Sequence, residues 1–328
     1  MGEEDRLLRW LRSQLNQIET PLIGDDAAVL PAGGPFAVTV DSQIAGVHFT
    51  PDLDPALLAR RLLAVNLSDL AAMGARPAYA FLALSAPAGF DHRRFFRALV
   101  AGCRRVSLRL AGGDLAGSPH VVATLTLLGT KPLRSRWLRR AGALPGHDLW
   151  LGGTVGESAA GRLLIERGFA DLPPALRRAA RRAVRRHILP APQIDLGLWL
   201  GKQSEGAAMD VSDGVARDLH RLCRESGAGA EITAEDLPFA DRFSPLCAAL
   251  GADPLALALG GGEDYVLLFT LPPGIAPPLA DCRRIGRITG GKKIALRRGG
   301  VRAPLPEIGW DHLEAVEAVK KKEKAPAS

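Results

Sequence analysis

Apolar residues along this chain fall into short runs broken by glycine, proline and acidic residues, and into longer stripes at helical spacing. Residues 27–30 and 37–40 are two such runs, separated by Pro31-Ala32-Gly33-Gly34-Pro35. They predict two antiparallel strands joined by a turn. Asp25 and Asp26 stand just before the first run and Asp41 just after the second, so the hairpin brings them to one edge. Like charges crowded at one edge repel unless a cation neutralises them, which is a first pointer to a metal site.

Ahead of the hairpin, leucines at 7, 8, 11 and 15 predict a helix over 5–17. A long helix is predicted over 54–73. Pro55 suits its first turn, Leu58, Leu62, Val65, Leu67 and Leu70 line its apolar side, and Gly74 ends it. Asn66, Ser68 and Asp69 interrupt that side. A strand over 78–84, a helix over 91–110 N-capped by Asp91, a Gly112-Gly113-Asp114 turn and a strand over 121–128 follow. The first half thus reads β-β-α-β-α-β, an α+β pattern. Its strands over 37–40, 78–84 and 121–128 are apolar at nearly every position, whereas a sheet covered on one face only should alternate. Both faces are therefore expected to be buried, the second by another subunit, which predicts a homodimer.

Residues 133–146, rich in arginine and glycine, read as the connection to a second half. That half is predicted to hold a strand over 148–152, a helix over 156–168, an arginine-rich helix and a break at Pro190-Ala191-Pro192. A helix over 215–226 and strands at 231–233, 265–270, 285–288 and 293–297 follow. The expected fold class is two-domain, α+β to α/β. A sheet-plus-helices domain spans 1–135, an α/β domain completing the site spans 136–315, and 316–328 form a disordered basic tail.

Composition narrows the function classes. With 47% hydrophobic residues in 328, the chain can bury two ordinary cores. Its longest apolar runs are too short to span a bilayer, and no apolar segment follows the charged start, so neither a membrane nor a secretory role is expected. Cys103, Cys223, Cys247 and Cys282 are scattered without a CxxC pair, which suits reduced thiols in the cytoplasm. The net charge is +7, and Arg177, Arg178, Arg181, Arg182, Arg185 and Arg186 recur along one helix, either as a solvated face or as a polyanion surface. Aromatics are only 5% and no basic stretch interleaves them, which argues against nucleic-acid binding by base stacking.

The acidic residues outside plain helix surfaces are Asp25, Asp26, Asp41, Asp69, Asp114, Asp210, Asp213, Glu263 and Asp264. Nearly all sit beside Gly, Ser or Asn at an element end. Each alone is a turn former or a cap; Asp213, for instance, can cap the helix that follows Gly214. Together they supply hard oxygen ligands spread over several loops, which suits Mg²⁺ shared with phosphate oxygens. His48 and His120 stand alone, with no zinc-type spacing. No P-loop sequence and no Gly-x-Ser-x-Gly elbow is present. Carboxylates, glycine turns and a few cations such as Lys131 and Arg140 fit phosphoryl transfer by positioning and metal-held charge, without a protein nucleophile.

Seven ordered motifs then carry a resemblance. They are Ile-Gly-Asp-Asp-Ala-Ala-Val-Leu at 23–30, Thr39-Val40-Asp41 with Gly46-Val47-His48-Phe49, the segment 64–77, Gly112-Gly113-Asp114, the segment 209–214, Gly261-Gly262-Glu263-Asp264-Tyr265 and Gly309-Trp310-Asp311-His312. Together they resemble the thiamine-monophosphate kinase family of the aminoimidazole-ribonucleotide synthetase-like superfamily, over residues 20–312. The resemblance implies ATP-dependent phosphorylation of thiamine monophosphate to thiamine diphosphate with several Mg²⁺ ions. It also implies a dimer joined through the N-terminal sheets, with active sites at the domain and subunit junction. By motif, Asp26, Thr39, Val40, Asp41, Asp69, Asp114, Asp210 and Asp213 are the implied metal ligands, with Asp41, Asp69 and Asp210 the catalytic set. Gly113, Asp114, Arg140 and Ser212 are implied for ATP, and His48, Glu263 and Trp310 for the acceptor. The family usually has a hydroxyl residue where this chain has Val40, so only the Val40 carbonyl is available there. Physically, Trp310 can stack on a cationic ring and a protonated His48 can bind phosphate.

Overall fold

The computed structural model describes residues 28–31, 34–168 and 172–310. The helix expected over 5–17, Asp25, Asp26 and the segment after Trp310 lie outside the described residues. The first sheet is formed by β1 (Ala28–Pro31), β2 (Pro35–Ile44), β3 (Arg76–Ala86), β4 (Arg109–Gly117) and β5 (Val122–Thr130) in the order β1-β2-β5-β3-β4. All neighbours are antiparallel except β3 and β4. The hairpin forms in the expected register, Ala28 opposite Val38 and Leu30 opposite Phe36, but β2 continues past Asp41 to Ile44. Helices α1 (Pro55–Ala72) and α2 (His92–Arg105) cover one face, packing Leu58, Leu62, Phe95 and Leu99 on Leu82, Leu84, Leu125 and Leu127. Asp54 and Asp91 cap them by accepting from Ala56 N and Arg94 N.

One expectation for this half is corrected. Gly112-Gly113-Asp114 is not a turn but the middle of β4, with Asp114 opposite Ala83. Gly113 is required there, since its φ is +155° and a Cβ would lie 1.8 Å from the Leu82 carbonyl oxygen. The nearly continuous apolar strands do alternate in burial. Their inner face lies under the helices. The outer face carries Val38, Val40, Tyr79, Phe81 and Leu128, with Val40 57% and Phe81 41% exposed in the single chain.

The second sheet follows the order β12-β11-β8-β10-β6-β9-β7. Its strands are β6 (Asp148–Leu151), β7 (Ala208–Asp210), β8 (Gly229–Thr233), β9 (Leu267–Leu271), β10 (Arg283–Thr289), β11 (Ile294–Arg298) and β12 (Val301–Pro304). Around it lie α3 (Glu157–Arg167), α4 (Arg177–Ile188), α5 (Ile194–Leu200), α6 (Val215–Ser226), α7 (Phe243–Ala249) and α8 (Pro254–Gly260). The sequence pattern misses β7, β12, α5, α7 and α8, all too short to show a period. The arginine stripe of α4 also divides. Ala179, Ala180, Ala183 and His187 are buried, and Arg182 turns to Glu157 at 2.6 Å, leaving Arg177, Arg178, Arg181 and Arg185 exposed.

Helix α1 joins the two halves. It is buried on nearly every side, as a helix apolar all round must be. Ala71 and Ala72 pack with Leu138, Leu196, Leu200 and Phe269 of the second half. Gly197 of α5 comes so close that a Cβ there would lie 2.0 Å from the Ala71 carbonyl oxygen. The polar residues that interrupt α1 are thereby placed between the sheets.

Candidate active site

The polar interruptions of α1 reach two strands, β2 and β7. Asn66 accepts from the Asp41 backbone N at 3.2 Å and donates to the Leu62 carbonyl at 2.8 Å. Asp69 accepts from the Thr39 hydroxyl. Ser68 donates to Asp210 at the end of β7, at 2.6 Å. The helix thus ties the carboxylate-bearing ends of β2 and β7 together across the two sheets. Beside this join lies a cavity of about 500 Å³ lined by Asp41, His48, Arg61, Asp69, Ser212, Asp213, Glu263, Tyr265 and Trp310, among others.

The cavity holds a buried charged network. Arg61, 1% exposed, donates from Nε to Gln43 at 2.7 Å, from one terminal nitrogen to the His187 carbonyl, and from the other to Glu263 Oε1. His187 Nδ1 lies 3.2 Å from Glu263 Oε2. Burial pushes the His187 imidazole down to about 4, so it is neutral at pH 7. Burial acts most strongly and raises the Glu263 carboxyl, but the Arg61 charge, the two nearby histidines and the Arg61 hydrogen bond together outweigh it and hold Glu263 below the ordinary carboxylate range. His48 Nδ1 accepts from Ile44 N at 3.1 Å, so a neutral ring carries its proton on Nε2. It need not be protonated, as the sequence reading supposed, to offer a donor. Burial raises the Tyr265 phenol well above its ordinary range, and the charges of Glu263, Asp41 and Asp210 add to the shift against that of Arg61.

Ser212 and Asp213, just ahead of α6, also line the cavity. Asp213 does not cap α6; the cap residue is Gly214 and the Asp213 carboxylate pairs with Arg221. The buried Asp218 does the capping from within the helix, accepting from Asp213 N at 3.0 Å and Gly214 N at 3.2 Å. Trp310 N donates to the Asp213 carbonyl at 3.0 Å, and the Trp310 carbonyl accepts from Arg217. The Arg162 guanidinium stands 5.7 Å from the Trp310 ring centroid, so one cation already uses that ring. Asp264 turns away from the cavity and accepts from Gly156 N at 2.7 Å and Ser158 N at 3.3 Å, capping α3 from a distance. Burial pushes its carboxyl up to about 7.

Comparison with known proteins gives this arrangement a family. Residues 24–130 match the family described as AIR synthase related protein, N-terminal domain. A thiamine-monophosphate kinase of Salmonella typhimurium is 40% identical over 278 residues, 83% of each chain. One from Aquifex aeolicus is 30% identical over 299 residues, 90% of this chain and 94% of the relative. This chain belongs to the thiamine-monophosphate kinase family. The solved structure of AaThiL complexed with AMPPCP and TMP is 30% identical, covers 95% of this chain and 99% of its own, and superposes with a TM-score of 0.82. A hydrogenase maturation protein HypE, 19% identical with a TM-score of 0.67, shares the fold.

Of the residues the thiamine-monophosphate kinase motifs single out, the cavity gathers Asp41, His48, Asp69, Ser212, Asp213, Glu263 and Trp310. Thr39 and Asp210 stand directly behind it, bonded to Asp69 and Ser68. Arg140 lies beside α6, where its carbonyl accepts from Ser226 and its charge acts on Asp218. Asp114 is separated from the cavity. Asp41 pairs through Leu125 and Leu82 to Gly113, whereas Asp114 shares its row with Ala83, Thr124 and Ser42 on the outer face. Asp114 is therefore three strands away, about 14 Å, and on the opposite face of the sheet. Val40 also projects to the outer face, beside Thr126 and Phe81. Sequence reasoning missed Arg61, His187 and Asp218. The signal for Arg61 was a charge on the apolar side of a long helix. Among the described residues no three His, Cys, Asp or Glu side chains form a ligand cage. The oxygens of Asp41, Asp69 and Asp213 on the cavity wall fit a magnesium ion that takes only one or two carboxylates and completes its shell with water and phosphate oxygens.

Proposed function

We propose that this protein transfers the γ-phosphoryl group of ATP to thiamine monophosphate, giving thiamine diphosphate and ADP. The observation that carries the reading is the one cavity lined by Asp41, Asp69, Ser212, Asp213, His48, Glu263 and Trp310. In it, Asp41 and Asp69 with Asp210 and Asp213 behind and beside them hold Mg²⁺, and Thr39 orients Asp69. Bound magnesium offsets the repulsion between two anionic phosphates. Ser212 and Arg140 hold the nucleotide. His48, Glu263 and Trp310 hold the acceptor, with Glu263 ionised and His48 donating from Nε2. Transfer is direct, with no phosphoenzyme: the Ser158 hydroxyl stands 3.2 Å from His187 Nδ1, but Ser158 is 1% exposed and does not line the cavity. Purified protein given Mg-ATP and thiamine monophosphate is expected to form thiamine diphosphate, with unphosphorylated thiamine a poor acceptor. Equal use of both acceptors would make the substrate assignment wrong. Four free cysteines support action in the cytoplasm.

The working unit is a homodimer joined through the outer face of the first sheet, and the boundary between domains falls near residue 135. The exposed apolar side chains of Val40, Tyr79 and Phe81 on that face support this. Val40 then serves the interface, and Gly113 and Asp114, remote from the cavity of their own chain, serve the nucleotide at the subunit junction. Phe81→Glu is expected to convert a two-chain particle to a monomer in light scattering and to lower activity. A monomeric wild-type protein at micromolar concentration would end the proposal.

A further inference from the structure

The best-buried charged side chain on the cavity wall has no role in the reading above. Arg61 leaves α1 in the first half and spends its guanidinium on three elements: Gln43 of β2, the His187 carbonyl at the end of α4, and Glu263 in the turn before β9. Burying a guanidinium is costly unless each partner is well placed, so this network is a demanding local arrangement. At 1% exposed, Arg61 offers almost none of its surface to a ligand. Its charge is directed at Glu263 Oε1, and the His187 ring lies 3.2 Å from Oε2.

The backbone under Glu263 is held just as firmly. Glu263 and Tyr265 adopt φ of +59° and +50°, a left-handed conformation that costs a non-glycine residue energy and persists only where surroundings enforce it. Glu263 N donates to the Ser212 carbonyl at 2.6 Å and Tyr265 N to the Val211 carbonyl at 2.8 Å. A strained turn in the second half, whose carboxylate is bonded by an arginine from the first half, is a device for presenting one carboxylate in one orientation.

We infer that Arg61 is a positioning residue that sets the Glu263 carboxylate for the acceptor, and that it makes the acceptor site depend on the seating of α1 against the second half. The inference rests on the reading of Glu263 as an acceptor contact. Lysine in place of arginine keeps the charge but loses the planar fork, so it cannot serve Gln43, His187 and Glu263 together. Steady-state kinetics of Arg61→Lys in the full-length protein are expected to show KM for thiamine monophosphate raised about tenfold, with KM for ATP moved less than about twofold. Arg61→Met is expected to raise the acceptor KM further. In a Glu263→Gln background, Arg61→Lys is expected to add nothing to the acceptor KM, because residues that act through one another are not additive. A purely structural Arg61 would instead lower the melting temperature and the active fraction, leaving both KM values in place. If Glu263→Gln itself leaves the acceptor KM unchanged, the reading of Glu263 fails and this inference with it. If Glu263→Gln raises the KM while Arg61→Lys has no effect, or the two effects multiply, the positioning role alone is overturned. Should Arg61→Met not fold, the lysine variant and the cycle with Glu263→Gln still decide the question.

Discussion

Asp41→Asn is expected to lower turnover about ten- to a hundredfold while leaving the fold intact. The physical basis is the loss of one negative charge from a hard oxygen ligand. A charge-assisted contact of that kind is worth roughly 1.5–3 kcal/mol when it acts fully in the transition state. The backbone of Asp41 is fixed by its ladder position opposite Leu125 and by Asn66, which accepts from its N–H at 3.2 Å. Neither constraint uses the carboxylate, so the substitution should keep the strand and the melting temperature close to wild type. Turnover should recover in part as Mg²⁺ is raised, since weakened ligation shifts the binding equilibrium rather than removing the site. Near-normal turnover in a folded variant would take Asp41 out of the mechanism.

The largest loss of stability should come from Asp218→Ala. Asp218 is fully buried, and its Oδ2 accepts from both Asp213 N and Gly214 N, while Oδ1 faces Arg221 at 3.3 Å. Alanine would strand two buried N–H groups at the start of α6, each costing about 1–3 kcal/mol. The expected total is about 2–6 kcal/mol, a large part of the roughly 5–15 kcal/mol typical of a folded domain. Urea unfolding followed by circular dichroism would measure it. Asp218→Asn retains one acceptor oxygen and should lose less. A stability near wild type for Asp218→Ala would show that water or a relaxed turn satisfies those donors.

Some of this was legible early because the chemistry is local. The 3.6-residue spacing of Leu58, Leu62 and Leu70, the caps at Asp54 and Asp91, and the hairpin between 27 and 40 each depend on neighbours in the chain. Even the polar breaks in α1 were visible as anomalies. Their partners were not, because Asn66 answers to β2, Ser68 to β7 and Asp69 to Thr39. The glycine pair before Asp114 was misread for a related reason. Gly113 looks like a turn former, but what demands glycine is the carbonyl of Leu82 on the neighbouring strand.

By itself, then, the sequence determined the elements whose signal repeats within a few residues, and the family, because ordered motifs over most of the chain constrain one another. Only the tertiary structure decided which carboxylates share a cavity. Asp41 and Asp114 are both implied metal ligands by motif, yet the pleat and three strands of separation put them on opposite faces of one sheet. Arg61 and Glu263 are 202 residues apart and meet only because α1 is buried between the two sheets. Side-chain direction alternates with every residue of a strand, and charge pairing across halves follows from packing, so neither can be read from spacing along the chain.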